Sequence, residues 1–181
     1  AVARTVAPVP SRGLWIELRW HLLGEDAALD RGTGPHDMMG SDLDLHLRDV
    51  GAGEWFDAVW DVYARQPYPP WGVGSRPGPT AFDDDTNGPG PELIALEQPA
   101  PDHTFEVGVH AWDDGSYAAM VAEVRVFIDG VLRYARAGVA MVEGDLWRVC
   151  DVAWPSAEVT AVGDGAPVII HDYPLPPKLV H

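Results

Sequence analysis

The sequence predicts an all-β fold: an antiparallel β-sandwich of immunoglobulin-like or jelly-roll type, with a long loop rich in Pro, Gly and Asp. Three observations predict it. Short stretches alternate between apolar and polar residues with a period of two, which is the pattern of strands that turn one face to a core. Turn-forming residues separate these stretches closely, with 19 Gly and 17 Pro in 181 residues. Finally, the pattern shows no amphipathic stretch of helical length and no internal repeat.

The clearest alternation lies in residues 41–49. One face of this predicted strand carries three leucines, and the other carries Asp42, Asp44 and His46. The pattern predicts a strand with one buried face and one solvent-exposed face. Because two carboxylates and an imidazole on one side of a strand have an electrostatic cost, we expect a neighbouring group or an ion to offset it.

Further strands follow from the same alternation, and Asp129 with Gly130 marks a hairpin turn between two of them. One of these strands, at residues 54–63, would place Asp57 and Asp61 on a solvent-exposed face. We expect three regions: an N-terminal arm at 1–12, the sandwich domain at 13–163 and an extended tail at 164–181. The additional strands are predicted at residues 14–22, 54–63, 93–96, 104–112, 118–128, 131–137, 146–152 and 158–162.

Composition excludes several classes of partner. The net charge of -16 argues against nucleic acid and against anionic membrane surfaces as partners. The longest apolar runs fall well short of the roughly 20 residues that a membrane span needs. The charge instead fits cation binding and a location outside the cytoplasm, at the cell surface, in the periplasm or in the medium. The single cysteine, Cys150, cannot form an internal disulfide and is predicted to be a buried, inert thiol.

An acidic segment at residues 83–92 offers four carboxylates and one amide within ten residues. Calcium takes six to eight oxygen ligands from such groups, and no helices flank the segment as they would in an EF-hand. If the segment folds over the strand at 41–49, the two acidic groups would share one ion, of the weaker extracellular class with a dissociation constant of roughly 10⁻⁴ to 10⁻³ M. The alternative is a solvated acidic turn. The predicted calcium ligands are Asp42, Asp44, Asp83, Asp84, Asp85, Asn87 and Glu92.

A second candidate metal site involves two histidines. His46 and His110 both lie on polar faces of predicted strands, and with Asp44 they would form a zinc or copper site if the strands are neighbours. The alternative is a pair of ordinary histidines, hydrogen-bonded to turns or to aspartates. A zinc ion here would suit a metal-dependent hydrolase. The sequence has no Gly-x-Ser-x-Gly nucleophile motif and no phosphate-binding loop, so it gives little support to catalysis.

Three aromatic residues lie in or near the proline-rich segment at 66–91: Trp55, Tyr68 and Trp71. They are candidates for a platform on which a sugar ring stacks. The alternative is that Trp71, in a Pro-Trp-Gly sequence, packs on the core as a plug.

Several motifs occur in a fixed order, at residues 41–46, 55–57, 70–72, 83–92, 107–110 and 128–132. Together they resemble the uncharacterised YfaP-like domain family of bacterial secreted and surface proteins, which is frequent in myxobacteria. The resemblance covers residues 14–155. It implies a β-sandwich outside the cytoplasm and brings no established activity. Residues 23–40 depart from the family pattern in their lower acidic content, so we assign no ligand to them.

These observations predict a calcium-stabilised extracellular binding or adhesion module of a bacterial surface or secreted protein. The ion would hold the segment at 66–91 against the strand that carries Asp42 and Asp44. The ordered segment would then present Trp71 and its neighbours to a glycan or another surface protein. The alternatives are a hydrolase that uses His46 and His110, and a purely structural spacer domain.

Overall fold

The computed structural model describes residues 9–23, 41–71, 78–82, 90–113 and 119–175. Within these ranges the chain forms eleven strands and no helix, so none that could cross a membrane. The strands are β1 (Leu14–Leu22), β2 (Asp42–Asp49), β3 (Asp61–Val62), β4 (Thr80–Phe82), β5 (Glu92–Leu96), β6 (His103–Asp113), β7 (Met120–Ile128), β8 (Val131–Met141), β9 (Leu146–Trp154), β10 (Glu158–Ala161) and β11 (Val168–Ile170).

The strands form two antiparallel sheets that pack face to face, which confirms the predicted all-β sandwich. The first sheet has the order β4-β5-β1-β7-β8. The second has the order β10-β9-β6-β2-β3, and β11 also pairs with β9. The predicted tail therefore contributes a strand to the second sheet. The predicted long loop at 66–91 is described only in part, and that part contains β4.

The core between the sheets follows the predicted alternation. Leu43, Leu45 and Leu47 of β2 are at most 1% exposed and face the first sheet. Cys150 of β9 lies in the same core, as predicted, and burial raises the pKa of its thiol. The apolar residues of each strand thus fix which face of each sheet points inward.

The opposite face of the second sheet is also buried, which corrects the prediction of a solvent-exposed face on β2. Asp42 is 7% exposed, Asp44 is 4% exposed and His46 is fully buried. A second apolar cluster covers this face, so the polar side chains of β2 lie beneath other residues. The cluster consists of Trp55, Phe56, Tyr63 and Leu146, with Trp112, Tyr173 and Leu175 packed against it.

The covering segment explains a second correction. Residues 54–60, predicted as most of a strand, instead form turns, and only Asp61–Val62 pairs with β2. Phe56 adopts a positive φ of 62° in this turn region, a conformation uncommon for a bulky residue. Because the chain folds back here instead of extending, its aromatic side chains lie on the outer face of the sheet.

Gly108 of β6 gives Trp55 its place on that face. A Cβ atom at position 108 would lie 2.6 Å from Cη2 of the indole, so the ring packs directly on the glycine. The guanidinium of Arg48 lies 4.7 Å from the centre of the same ring. Arg48 also forms an ion pair with the buried carboxylate of Glu106. Arg148 forms a second ion pair with the same carboxylate. The aromatic cover is therefore joined to a buried ion-pair network.

We expect Gly108→Ala to lower the free energy of unfolding by about 1–3 kcal/mol, because the new methyl group must displace the Trp55 ring. Urea unfolding followed by tryptophan fluorescence measures this loss. Gly51→Ala is the matched control, since a Cβ there meets only Asp49 Oδ1 at 3.6 Å. Equal stability of the two variants would show that Trp55 does not depend on the glycine.

Candidate metal centre

Three carboxylates meet where the edges of the two sheets approach each other. Asp42 and Asp44 come from β2, and Glu92 comes from β5 of the other sheet. One oxygen of each lies within 4.8 Å of the others, and all three side chains are buried. In the described ranges this is the one group of three or more His, Cys, Asp or Glu side chains that converges in this way. The group could hold a metal ion.

Glu92 reaches β2 because β3 is short. β3 pairs with β2 only at Leu47 and Arg48, so the first half of β2 faces the end of β5 instead. There the backbone N–H of Leu45 donates a hydrogen bond of 2.6 Å to Oε2 of Glu92. This short hydrogen bond fixes the Glu92 carboxyl group next to Asp44.

Two residues next to these acids set the backbone around the site. The indole N–H of Trp20 donates to Oγ of Ser41 at 2.9 Å, directly before Asp42. Gly90, two residues before Glu92, has a φ of +77°, and a Cβ there would lie 2.7 Å from Cζ3 of Trp20. Trp20 therefore contacts both segments that carry the acids, and position 90 requires glycine for both its φ and its space.

The structure brings together three of the seven predicted calcium ligands. Asp42 and Asp44 lie against Glu92, the last acid of the segment at 83–92, as the prediction of a shared site requires. Asp83, Asp84, Asp85 and Asn87 lie outside the described residues.

His46 lies on the same face of β2 and is held by Asp61, which was predicted on a solvent-exposed face. Its Nδ1 is 2.8 Å from Oδ2 of Asp61, and that oxygen also accepts the backbone N–H of Phe56 at 2.6 Å. Beside an ionised Asp61 the proton lies on Nδ1, so in the neutral tautomer Nε2 carries the lone pair. Asp61 is fully buried instead of solvent-exposed. Only the register of β3 against β2 reveals this pairing, and no local sequence signal does.

His110 lies opposite Asp44 in the register between β2 and β6 and is 1% exposed. Neither of its ring nitrogens has a hydrogen-bond partner among the described residues. Burial, with a smaller contribution from His46, lowers the pKa of His110 to about 3. Burial and the nearby Asp61 raise the pKa of Tyr63, which stacks on His46, to about 12. The side chains of His110 and Tyr63 are therefore neutral at physiological pH.

The two imidazoles are neighbours, with ring centres 6.5 Å apart. In the described part of the chain they do not join Asp44 in a three-ligand group. Phe56 packs edge-on against both rings, at 4.7 Å from His46 and 5.1 Å from His110. The pair is thus enclosed by aromatic rings, and the predicted zinc ligands are close in the fold without converging on one point.

The predicted aromatic platform is only partly available to a ligand. Trp55 and Trp71 are 6% and 5% exposed, whereas Tyr68 is 72% exposed. Trp71 stacks on Phe105 with ring centres 5.6 Å apart, in the core between the sheets. Trp71 therefore packs on the core, which is the alternative given above to a sugar platform. Of the three rings, only Tyr68 faces solvent.

Comparison of the chain with protein-family models, with curated proteins and with solved structures gives no match. The resemblance to the YfaP-like family stays a prediction from the sequence motifs.

The low pKa of His110 makes stability depend on pH. Its pKa is about 3 in the folded chain and 6.5 in the unfolded one, so between these values the unfolded state binds the proton. Stability is therefore lost as the pH falls below 6.5. Between pH 7 and pH 5 we expect His110 to reduce the free energy of unfolding by about 2 kcal/mol.

Urea unfolding at both pH values, in EDTA, tests this expectation. His110→Phe keeps a ring at this position and removes the titrating group, so the variant should lose less stability than the parent between pH 7 and pH 5. An identical loss in both proteins would contradict a buried neutral histidine.

Proposed function

We propose that this chain is a calcium-stabilised binding module of a bacterial surface or secreted protein, with Asp42, Asp44 and Glu92 as the centre of the ion site. One observation carries the proposal: three buried carboxylates from two different sheets converge within 4.8 Å. Burying carboxylates is costly, and coordination of a cation is one of the ways in which proteins offset that cost.

The ligand set favours calcium over the other common ions. It contains only oxygen, whereas zinc prefers nitrogen and sulfur ligands in structural sites. Carboxylates bind calcium through one or both oxygens in a flexible shell of six to eight ligands. Magnesium demands a tighter octahedron and keeps several waters, which suits a buried cluster less well. Asp83, Asp84, Asp85 and Asn87 are the proposed source of further oxygens.

The position of the site gives the ion a structural role. Because Asp44 belongs to one sheet and Glu92 to the other, an ion bound between them would link the two sheets at their edge. It would also hold the end of the segment at 66–91 in place, which reduces the conformational freedom of that segment. Oxygen sites of the weaker class fill only at extracellular calcium levels, so this role fits an exported protein that binds a glycan or another surface protein.

The hydrolase alternative has one observation in its favour. Nε2 of His46 and both ring nitrogens of His110 have no hydrogen-bond partner among the described residues, and Asp61 orients His46 as a carboxylate orients a metal-binding histidine. A hydrolase must also admit its substrate, and both imidazoles are at most 1% exposed. We therefore rank the hydrolase below the binding module. If the chain binds no ligand, the remaining alternative is a purely structural spacer domain.

We expect the midpoint of thermal unfolding to rise when 10 mM calcium is added to protein stripped with EDTA. For a dissociation constant of about 10⁻⁴ M the stabilisation is about 2.7 kcal/mol, which corresponds to a rise of about 5–10 °C. Magnesium should give a much smaller shift. Terbium, a luminescent substitute for calcium, should be sensitised by tryptophan excitation.

Asp44→Asn should abolish both the calcium shift and the terbium signal. Glu97→Gln removes the same charge from an exposed acid next to β5 and should keep both, so it serves as the control. A shift with zinc alone that is lost in His110→Phe would favour the hydrolase. No shift with any ion would leave an unmetallated sandwich and refute the proposal.

A further inference from the structure

A cleft of about 380 Å³ lies at the other end of β2 from the carboxylate cluster. Asp49 lies five positions after Asp44, at the end of the strand, which is a distance of about 17 Å along an extended chain. The cleft is therefore separate from the candidate metal centre. Its walls are residues 49–52, Trp60 and residues 102–104.

One wall of the cleft carries an Asp–His pair with fixed geometry. Nδ1 of His103 lies 2.5 Å from Oδ2 of Asp49, whose other oxygen accepts the backbone N–H of Gly51 at 3.1 Å. Asp49 is 2% exposed, whereas the side chain of His103 is 42% exposed. An ionised Asp49 requires the proton on Nδ1, so in the neutral ring Nε2 is left as a hydrogen-bond acceptor. His103 also stacks on Phe105, which holds the ring plane.

The other groups in the cleft are an aromatic ring and further oxygens. Trp60 is half-buried, and two hydrogen bonds hold its backbone. Its N–H donates to Asp57 Oδ1 at 3.0 Å, and its carbonyl oxygen accepts from the N–H of Asp49 at 3.0 Å. Asp102 is exposed and has a φ of +62°. Thr104 adds a hydroxyl group. The cleft therefore combines one large ring with several acceptors on a rigid backbone.

From this arrangement we infer that the cleft binds a neutral sugar ring. A sugar presents an apolar C–H face, which suits the indole of Trp60, and several hydroxyl donors, which suit the Asp102 carboxylate, the Thr104 hydroxyl and Nε2 of His103. An anionic ligand is disfavoured by Asp49, by Asp102 and by the net charge of -16. Because the His103 ring and the Trp60 backbone are held by hydrogen bonds before binding, these two groups lose little conformational entropy when the sugar is bound.

This inference names a ligand class for the proposed binding module and does not depend on the ion site. It also moves the sugar site away from the predicted platform, of which Tyr68 alone is exposed. Cleft binding should therefore persist in EDTA, which separates its failure from a failure of the calcium proposal.

Saturation-transfer NMR and calorimetry with the methyl glycosides of glucose, galactose, mannose and N-acetylglucosamine test the inference. We expect at least one to bind with a millimolar dissociation constant in the presence of EDTA, and the glucuronic acid glycoside to bind more weakly than the glucose one. If no neutral sugar binds, or if the charged sugar binds more tightly, the inference is wrong.

Variants locate the binding within the chain. Asp102→Asn tolerates the positive φ and Thr104→Val keeps the shape of its side chain, so both should fold while weakening the sugar by about three- to tenfold. Trp60→Ala should weaken it by about tenfold or more, with folding checked by circular dichroism. Tyr68→Ala should leave it within about twofold. Binding lost in Tyr68→Ala and kept in the three cleft variants would place the sugar on Tyr68 and overturn the inference.

Discussion

The structure depends on the burial of β2 on both of its faces. One face packs its leucines into the core between the sheets, and the aromatic cluster around Trp55 and Phe56 covers the other. Every polar side chain on the covered face must then find a partner or a bound ligand, because a buried polar group without one costs free energy. His46 pairs with Asp61, Arg48 pairs with Glu106, and the acids at the start of the strand meet Glu92.

The strands themselves could be predicted because their alternation is a local property of the sequence. The inward positions of β2 and β6 follow directly from it, as do the β7–β8 hairpin at Asp129 and the burial of Cys150. The same alternation misled at residues 54–63, where apolar and polar residues alternate in a turn that folds back over the sheet. Periodicity reports that a face is apolar or polar, and it does not report what lies on top of that face.

The sites were predictable in part for a similar reason. The acidic segment at residues 83–92 indicated an oxygen-rich site. The prediction that it meets Asp42 and Asp44 is confirmed for its last acid, Glu92. The pairs between Asp61 and His46 and between Asp49 and His103 join different strands and turns. They depend on strand register and on tight turns, which single-residue patterns do not encode. The burial of Trp71 depends on its stacking with Phe105, which is likewise a tertiary contact.

A recurring arrangement links these pairs. Among the residues that the structure describes, a buried aspartate three times accepts a backbone N–H and also contacts Nδ1 of a histidine: His46, His103 and His171. The aspartate is at most 3% exposed in each case, whereas the histidine side chain ranges from fully buried to 73% exposed. The aspartate thus fixes the backbone in every pair, and the position of the histidine decides whether Nε2 faces the interior or solvent.

The hydrogen bond from Leu45 to Glu92 has a consequence for how the protein behaves at high concentration. Among the described strands, none pairs with the first half of β2 on the side where β3 lies, and an unpaired strand edge is a template for pairing with another molecule. The Glu92 carboxyl group accepts the hydrogen bond of the Leu45 N–H, so this donor is not open to a strand of another molecule. The residue that contributes to a cation site therefore also protects the chain against intermolecular strand addition, so its loss would promote aggregation even where folding survives.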